Sequence, residues 1–158
     1  TLIKLHSVIQ TVMGWWGGHL HEFVIDHCHY GQTFDEDPFM DIGPELIDER
    51  RKKLLKLLGR KRQFEYLYDF GDSWWHKIRV EGVLPLTTPR PQALCLAGEM
   101  ACPPEDVGGL GGYFEFLEAV TNPLHEEHDA MVEWCGGNFD PTHFDITETN
   151  LRLQQIKF

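Results

Sequence analysis

The sequence predicts an α+β fold, in which an antiparallel sheet built on a central hairpin is packed by an N-terminal helix and a C-terminal group of about three helices. Aromatic and polar residues alternate over 64–80, which is the period-two pattern of half-buried strands. Apolar residues recur at helical spacing over 2–14 and in three segments after residue 112. Because 158 residues suffice for one domain with its own core, we expect a single domain over 1–158.

The elements before the hairpin follow from periodicity and turn residues. An amphipathic helix over 2–14 is ended by Gly14. Two short strands, at 19–26 and 27–31, are joined by a tight turn near Asp26-His27 and are expected to extend the sheet.

Loops and one further helix surround these strands. Residues 32–44 are acidic and rich in turn formers, which indicates a surface loop. A helix is predicted over 52–58, where leucines stand among many charges. Three prolines within 84–91 favour a surface crossing, and residues 92–112 read as a long ordered loop, a kind of loop that is often functional.

The hairpin is predicted with Gly71-Asp72-Ser73 as a three-residue turn. The two apolar faces coincide only if paired residue numbers have an even sum, because a slip of one residue turns a strand over. Asp69 then points outward beside Trp75. The predicted pairs are Phe70 with Trp74, Tyr68 with His76, Tyr66 with Ile78, Phe64 with Val80 and, on the other face, Glu65 with Arg79.

Three helices are predicted to close the chain. The first begins near Tyr113 and stops at Asn122-Pro123, and the second runs from near His125 to Gly136-Gly137. The third covers about 147–155, with Thr147 as its N-cap.

The charge balance disfavours general binding of nucleic acid. The chain has 14 basic and 25 acidic residues, a formal charge of −11, and an acidic surface repels phosphate backbones. Nucleic acid could be held only through the basic run at 50–62, and we favour a solvated surface for that run. Its bases are Arg50, Arg51, Lys52, Lys53, Lys56, Arg60, Lys61 and Arg62.

Cysteine usage and hydropathy indicate a reduced, cytoplasmic protein. Cys28, Cys95, Cys102 and Cys135 form neither a Cys-x-x-Cys motif nor a dense disulfide framework. The sequence shows no signal peptide and no apolar run of membrane-spanning length. Cys95 and Cys102 are a redox pair, lone thiols or packing residues, and we favour packing.

The hairpin tip gathers the densest group of ionisable residues. Carboxylates and imidazole are acid–base groups and ligands for a divalent metal. We expect a surface pocket between this tip and the loop at 95–112. Alternatively, the aspartates shape the turn and the histidine is an interior residue. The candidate lining is Asp69, Asp72, Trp74, His76, Glu105 and Asp106.

Four histidines near the N-terminus are candidate metal ligands. His19 and His21 share one face of a strand, as do His27 and His29, so a bis-imidazole site is geometrically possible. Their spacing matches no strong zinc signature.

Several motifs together resemble the root-inducing-plasmid open-reading-frame-three-like family, over nearly the whole chain. Members are mostly uncharacterised and sometimes carry labels such as transposon passenger or TnpR-like resolvase. The resemblance implies an α+β fold with an antiparallel sheet packed by helices. The motifs are Met13-Gly14-Trp15-Trp16, His19-Leu20-His21-Glu22-Phe23, Tyr66-x-Tyr68-Asp69-Phe70-Gly71-Asp72-Ser73-Trp74-x-His76, Cys95-Leu96-Ala97-Gly98-Glu99-x-Ala101-Cys102-Pro103-Pro104-Glu105-Asp106-x-Gly108-Gly109 and Gly137-x-Phe139-Asp140-Pro141.

This chain departs from the family pattern at two places. It starts after a further strand that members usually carry before the first helix. This start predicts either an open sheet edge that invites pairing with a protein partner or a second copy, or a chain from which that strand has been trimmed. Val107 stands where members often have cysteine, which weakens a metal or disulfide proposal there.

The resolvase label is disfavoured, because Ser7 and Ser73 are the only serines and arginines cluster only within the basic run. The leading functional hypothesis is a cytoplasmic accessory protein of mobile elements that binds a ligand or partner. One alternative is a divalent-metal-dependent hydrolase using Asp69, Asp72, His76, Glu105 and Asp106. Another is a DNA-associated accessory acting through residues 50–62.

Overall fold

The computed structural model of the chain describes residues 1–33, 45–85 and 92–156. The chain divides into two compact units: a sheet unit from Thr1–Ile9, Gly17–Pro91 and Phe158, and a helical unit from Gln10–Trp16 and Gln92–Lys157. The expectation of one domain stays a prediction. In chain order the elements are α1 (Leu2–Met13), β1 (His21–Ile25), β2 (Cys28–Gly31), β3 (Leu46–Asp48), α2 (Leu54–Leu58), β4 (Gln63–Tyr68), β5 (Trp74–Arg79), α3 (Gly109–Thr121), α4 (His128–Trp134) and α5 (Ile146–Leu153).

The described strands form one five-stranded sheet in the order β3-β2-β1-β4-β5. Neighbouring strands are antiparallel except β2 and β3, which run parallel. The predicted α+β class, with a mostly antiparallel sheet, is therefore confirmed. The hairpin of β4 and β5 lies at one end of the described sheet instead of its centre, and β3 at the other end was not predicted.

The pairing of β4 with β5 differs from the predicted register by two residues. Tyr68 pairs with Trp74, Tyr66 with His76 and Glu65 with Lys77. The predicted pairs of Tyr68 with His76 and of Glu65 with Arg79 are therefore wrong, and the connecting loop has five residues instead of three. The prediction that paired residue numbers have an even sum is correct, since 68 pairs with 74 and 66 with 76. The aromatic face of the hairpin is therefore the buried face, and Tyr66 and Tyr68 are 0% exposed.

Asp69 explains the longer loop. Its backbone N–H donates to the Leu20 carbonyl, just before β1, over 2.9 Å. Its φ is +55°, so the chain leaves the extended conformation at this residue. Its Oδ1 accepts hydrogen bonds from the N–H groups of Gly71 and Asp72, at 2.9 and 3.2 Å. Asp69 is thus buried within the turn, whereas the sequence predicted an outward side chain.

The first turns of α1 contact the other elements of the sheet unit. Leu2 is fully buried, and its N–H donates to the Lys52 carbonyl over 2.9 Å. One helical turn later, Nδ1 of His6 lies 2.8 Å from the hydroxyl of Tyr66 on β4. The core of the unit is aromatic, with the rings of Phe23 and Tyr66 4.8 Å apart.

The turn between β1 and β2 is where the sequence predicted it. Asp26 and His27 have φ values of +55° and +63°, the left-handed conformation at both central positions that suits a tight hairpin turn. The predicted surface loop at 32–44 and the predicted crossing at 84–91 fall largely outside the described residues.

The helical unit is held together by hydrogen bonds between distant segments. His128, at the start of α4, donates from Nδ1 to the Ala119 carbonyl of α3 over 2.8 Å. Asn150 of α5 exchanges two hydrogen bonds with the backbone of Cys95, at 2.8 and 3.0 Å. Phe116 of α3 is almost fully buried and belongs to the core.

The helix ends partly correct the sequence predictions. α3 ends before Asn122 as expected, and α4 begins at His128 instead of near His125. The N-cap of α5 is Asp145, whose side chain accepts from the N–H groups of Thr147 and Glu148, so Thr147 was the wrong cap. Within the part of the chain that the structure describes, no helix is both long and apolar enough to cross a membrane.

Candidate functional site

Four of the predicted pocket residues lie in the hairpin of the sheet unit. Asp69 shapes the turn, and its Oδ2 lies 3.6 Å from Nδ1 of His19. Asp72 is half-buried in the same turn, and Trp74 is buried at the start of β5. His76 donates from Nδ1 to the Trp74 carbonyl over 2.9 Å, and burial lowers the pKa of its imidazole. These contacts are those expected if Asp69 shapes the turn and His76 is an interior residue, which is the alternative that the sequence left open.

The other histidines proposed as metal ligands take different positions. Nε2 of His21 donates to Glu49 over 2.9 Å in the interior, and Nδ1 of His29 donates to Glu22 over 2.9 Å. His27 lies in the turn between β1 and β2. The bis-imidazole site therefore stays a prediction, and two of its four members already bond a carboxylate.

The basic run is mostly exposed but partly neutralised. Arg50 forms a two-pronged ion pair with Asp48, with its shortest contact 2.7 Å, and Lys61 pairs with Asp26. The described side chains of this run that are exposed include Arg51, Lys53, Lys56, Arg60 and Arg62.

The last two predicted residues, Glu105 and Asp106, lie in the helical unit. Glu105 is buried, with only 8% of its surface exposed. Its Oε2 accepts a hydrogen bond from the backbone N–H of Trp16 over 2.9 Å. The indole N–H of Trp15 donates to the Pro103 carbonyl over 3.0 Å. These two bonds fix the loop that carries Glu105 against the segment that follows α1.

This arrangement surrounds a cavity of about 400 Å³, which we call the tryptophan pocket. Its volume lies in the range of small-molecule sites. The sequence did not predict its aromatic members as site residues, although the adjacent pair Trp15-Trp16 was a signal that could have drawn attention. The lining side chains are aromatic (Trp15, Trp16, Trp134, Phe139), acidic (Glu105, Asp106) or apolar (Met13, Cys102, Pro103, Pro104, Cys135), together with Gly14.

Packing within the helical unit fixes two of the aromatic walls. Phe116 of α3 contacts Trp134 edge to face at 5.7 Å between ring centroids, and Phe139 at 5.1 Å. Tyr113 adds an edge contact to Phe139 at 6.5 Å. Because aromatic pairs of this geometry restrain each other, Trp134 and Phe139 present defined ring positions to the cavity.

A second cavity of about 290 Å³ shares Asp106 and Trp134 with the tryptophan pocket. Its lining adds Glu115 and Glu127, so acidic side chains continue from one cavity to the next.

Cys102, one of the two thiols of the tryptophan pocket, is a poor nucleophile. Burial, with a further contribution from the Glu105 carboxylate, raises the pKa of Cys102 to about 12. Cys135 donates from Sγ to the Gly137 carbonyl over 2.9 Å. All four cysteines of the chain are free. The thiolate is the reactive form, so Cys102 stays a protonated, packed side chain at neutral pH.

The excess negative charge of the chain is concentrated in the helical unit. Its two stretches contain 12 of the 25 acidic residues but only two bases, Arg152 and Lys157, a formal charge of −10. The sheet unit, with 13 acidic and 12 basic residues, is nearly neutral. A partner of the helical unit therefore meets a strongly negative potential.

The predicted pocket draws on both units, with Asp69, Asp72, Trp74 and His76 in the sheet unit and Glu105 and Asp106 in the helical unit. As a joint site it stays a prediction. The cavity that the helical unit forms by itself contains two of those six residues.

Comparison with known proteins agrees with the resemblance seen in the motifs. The family model described as plasmid pRiA4b ORF-3-like protein matches residues 1–148. An uncharacterized protein of Sinorhizobium fredii, y4hQ, is 42% identical over 160 residues, covering 98% of this chain and 78% of that protein. The crystal structure of a protein of unknown function, MM3350 from Methanosarcina mazei Go1, has a TM-score of 0.78 and 39% identity, covering 94% of this chain and 81% of the other.

Proposed function

Because the chain belongs to the plasmid pRiA4b ORF-3-like protein family, we propose that it is a binding protein rather than an enzyme, an accessory domain that takes a ligand or partner in the tryptophan pocket. The observation that carries this proposal is a cavity of about 400 Å³ lined by three tryptophans and a buried glutamate. Large aromatic walls with a few placed polar groups are typical of ligand sites.

The state of the reactive side chains supports binding over catalysis. Cys102 is held as a thiol, since its pKa is raised to about 12. In the sheet unit, burial lowers the pKa of His76, and Asp69 is engaged by the backbone of its own turn. An acid–base catalyst works best when its pKa lies near the operating pH and it can reach a substrate.

The two alternatives have less support. The hydrolase hypothesis depends on carboxylates and His76 drawn from both units, and it stays a prediction. The DNA hypothesis gains a cavity of about 440 Å³ in the sheet unit, lined by Lys61, Lys77 and Arg79. Asp26 and Glu65 line the same cavity and offset part of that charge. A cytoplasmic location and a link to mobile elements also stay predictions.

The proposal is tested by indole N–H signals in NMR spectra of ¹⁵N-labelled protein. The chain has five tryptophans, of which three line the pocket, while Trp74 and Trp75 lie on β5 and serve as internal controls. We expect fragments from a library of neutral, cationic and anionic compounds to shift the signals of Trp15, Trp16 and Trp134 selectively. A library that moves none of these three beyond the controls would overturn the proposal.

A further inference from the structure

We propose that the tryptophan pocket recognises an organic cation, namely an ammonium or guanidinium group carried on an apolar or peptide framework. This inference rests on the proposed function and gives the chemical class of the ligand. It follows from four independent properties of the helical unit: the aromatic walls, the buried carboxylate, the helix ends and the net charge.

The aromatic walls suit a cation. Trp15, Trp16 and Trp134 converge on one cavity with Phe139, and tryptophan is the side chain whose face attracts cations most strongly. Trp16 and Trp134 are 73% and 46% exposed, so these rings have accessible surface for a ligand to cover.

A buried carboxylate gives the pocket its polarity. Glu105 is 8% exposed, which is unusual for a glutamate, and its position is fixed by the Trp16 N–H bond of 2.9 Å. Such a side chain is costly to desolvate unless a positive partner or hydrogen bonds compensate for it. Of the described residues that line the pocket, two are acidic and none is basic, so the lining favours a cationic ligand over an anionic one.

Two helix ends add to the same field. Met13 and Gly14 at the end of α1, and Trp134 and Cys135 at the end of α4, all line the cavity. The C-terminal end of a helix carries a partial negative charge, which favours cations close to it.

The surrounding charge would attract cations and repel anions. The second cavity continues the acidic lining through Asp106, Glu115 and Glu127. Arg152 is the basic residue of this unit within the described range, and its Nη1 lies 3.2 Å from where a Gly14 side chain would begin. The formal charge of −10 already includes this guanidinium, so cationic ligands should also associate faster at low salt.

Two pairs of probes test the charge requirement at constant shape. Choline is compared with 3,3-dimethyl-1-butanol, its neutral isostere, and N-acetyl-arginine amide with N-acetyl-citrulline amide. Binding is followed by the five tryptophan indole signals of the full chain. We expect at least one cation to bind at least tenfold more tightly than its neutral partner, with affinity that falls as salt rises. Preference for choline would indicate a quaternary ammonium ligand, and preference for the arginine amide a ligand that carries a guanidinium group.

Two variants locate the effect. Glu105→Gln keeps an acceptor for the Trp16 N–H and removes the charge, and Trp16→Ala removes an exposed ring. Both should weaken binding of the preferred cation at least fivefold. Glu99→Gln, an exposed glutamate of the same unit outside the lining, and Trp75→Ala, an exposed ring of β5, should leave it unchanged.

The outcomes separate the two proposals. Equal binding of both members of each pair, with the pocket signals still shifting, would overturn the cation inference and leave the binding function standing. Loss of binding in the control variants to the same extent as in Glu105→Gln would also overturn it. If no compound of any charge shifts Trp15, Trp16 or Trp134, both proposals fail.

Discussion

The imidazole rings of His6 and His21 stack face to face, with centroids 3.6 Å apart and planes 11° from parallel. Each ring also has a hydrogen-bond partner outside the stack. Nε2 of His21 bonds the buried Glu49, and Nδ1 of His6 lies 2.8 Å from the hydroxyl of Tyr66. Two adjacent imidazolium rings would repel each other, so this stack favours at most one charged ring. The contact joins α1 to β1 in the interior of the sheet unit.

The stack predicts that acid destabilises the fold. Burial, with a further effect of His21, lowers the pKa of His6 from 6.5 to about 3. As pH falls through 6.5, the unfolded chain takes up a proton at this residue and the folded chain does not. The free energy of unfolding should therefore fall between about pH 6.5 and pH 3, by up to about 1.4 kcal/mol per pH unit from this residue.

Urea unfolding of the wild type and of His6→Gln between pH 4 and pH 8 measures this effect. The variant is destabilised at every pH, so the informative quantity is the difference in slope against pH. Wild type should lose stability more steeply than the variant below pH 6.5. Two parallel curves would show that His6 titrates alike in the folded and unfolded states.

The buried thiol of Cys102 should resist alkylation. With a pKa of about 12, its thiolate fraction at pH 8 is about one in ten thousand, because each pKa unit is a factor of ten. Cys28 is exposed on β2 and serves as the comparison. Mass spectrometry of peptides after timed iodoacetamide treatment should show Cys28 modified first. Equal labelling rates at the two cysteines would contradict the buried position of Cys102.

The cap of α5 discriminates between the sequence prediction and the structure. Asp145 accepts from the N–H groups of Thr147 and Glu148 at 2.8 and 2.9 Å. Asp145→Ala should cost about 1 kcal/mol of folding stability, as loss of an N-cap does. Thr147→Ala is the matched control, and it should change stability by less than about 0.5 kcal/mol. Chemical denaturation of both variants measures the two changes in the free energy of unfolding. A larger loss for Thr147→Ala than for Asp145→Ala would show that Thr147 is the cap.

Two neighbouring glycines at the start of α3 should respond in opposite directions to alanine. A methyl group at Gly112 would overlap the carbonyl oxygen of Val107, which is backbone and has little room to move. We expect Gly112→Ala to cost about 2 kcal/mol or more, as overpacking does. Nothing lies within 4 Å of the same position at Gly111, so Gly111→Ala should stabilise the helix by about 0.5–1 kcal/mol.

Thermal denaturation of the two glycine variants measures both effects with one assay. A midpoint that rises for Gly112→Ala would show that the approach of Val107 to α3 is not as close as the structure has it.

The sequence predicted the parts of the fold that depend on local pattern. Alternation over 64–80 indicated the hairpin and its buried face, and helical spacing with terminal glycines indicated α1. The tight turn at Asp26-His27 followed from two strand-like runs with polar residues between them. The short strand β3 was missed, because three residues carry too little periodicity to separate a strand from the start of a helix.

The site could be predicted only in part. Glu105 and Asp106 stood out as carboxylates in a glycine-rich loop, but their aromatic neighbours Trp15 and Trp134 lie 90 and 29 residues from Glu105 in the sequence. No local pattern records that such segments meet. The lack of bases over residues 91–148 was visible in the sequence. Only the structure shows that these residues belong to one unit and that its cavity is lined by acidic side chains.

The sequence by itself determined the α+β class, the buried face of the hairpin and the family. Alternation, helical spacing and motifs are properties of residues that lie close together in the sequence. Only the tertiary structure decided the register and the pocket. The five-residue loop exists because the N–H of Asp69 bonds the Leu20 carbonyl. The pocket exists because Trp15 and Trp16, just after α1, bond the Pro103–Glu105 segment. Both depend on hydrogen bonds between residues at least 49 positions apart, and sequence spacing cannot encode such a partner directly.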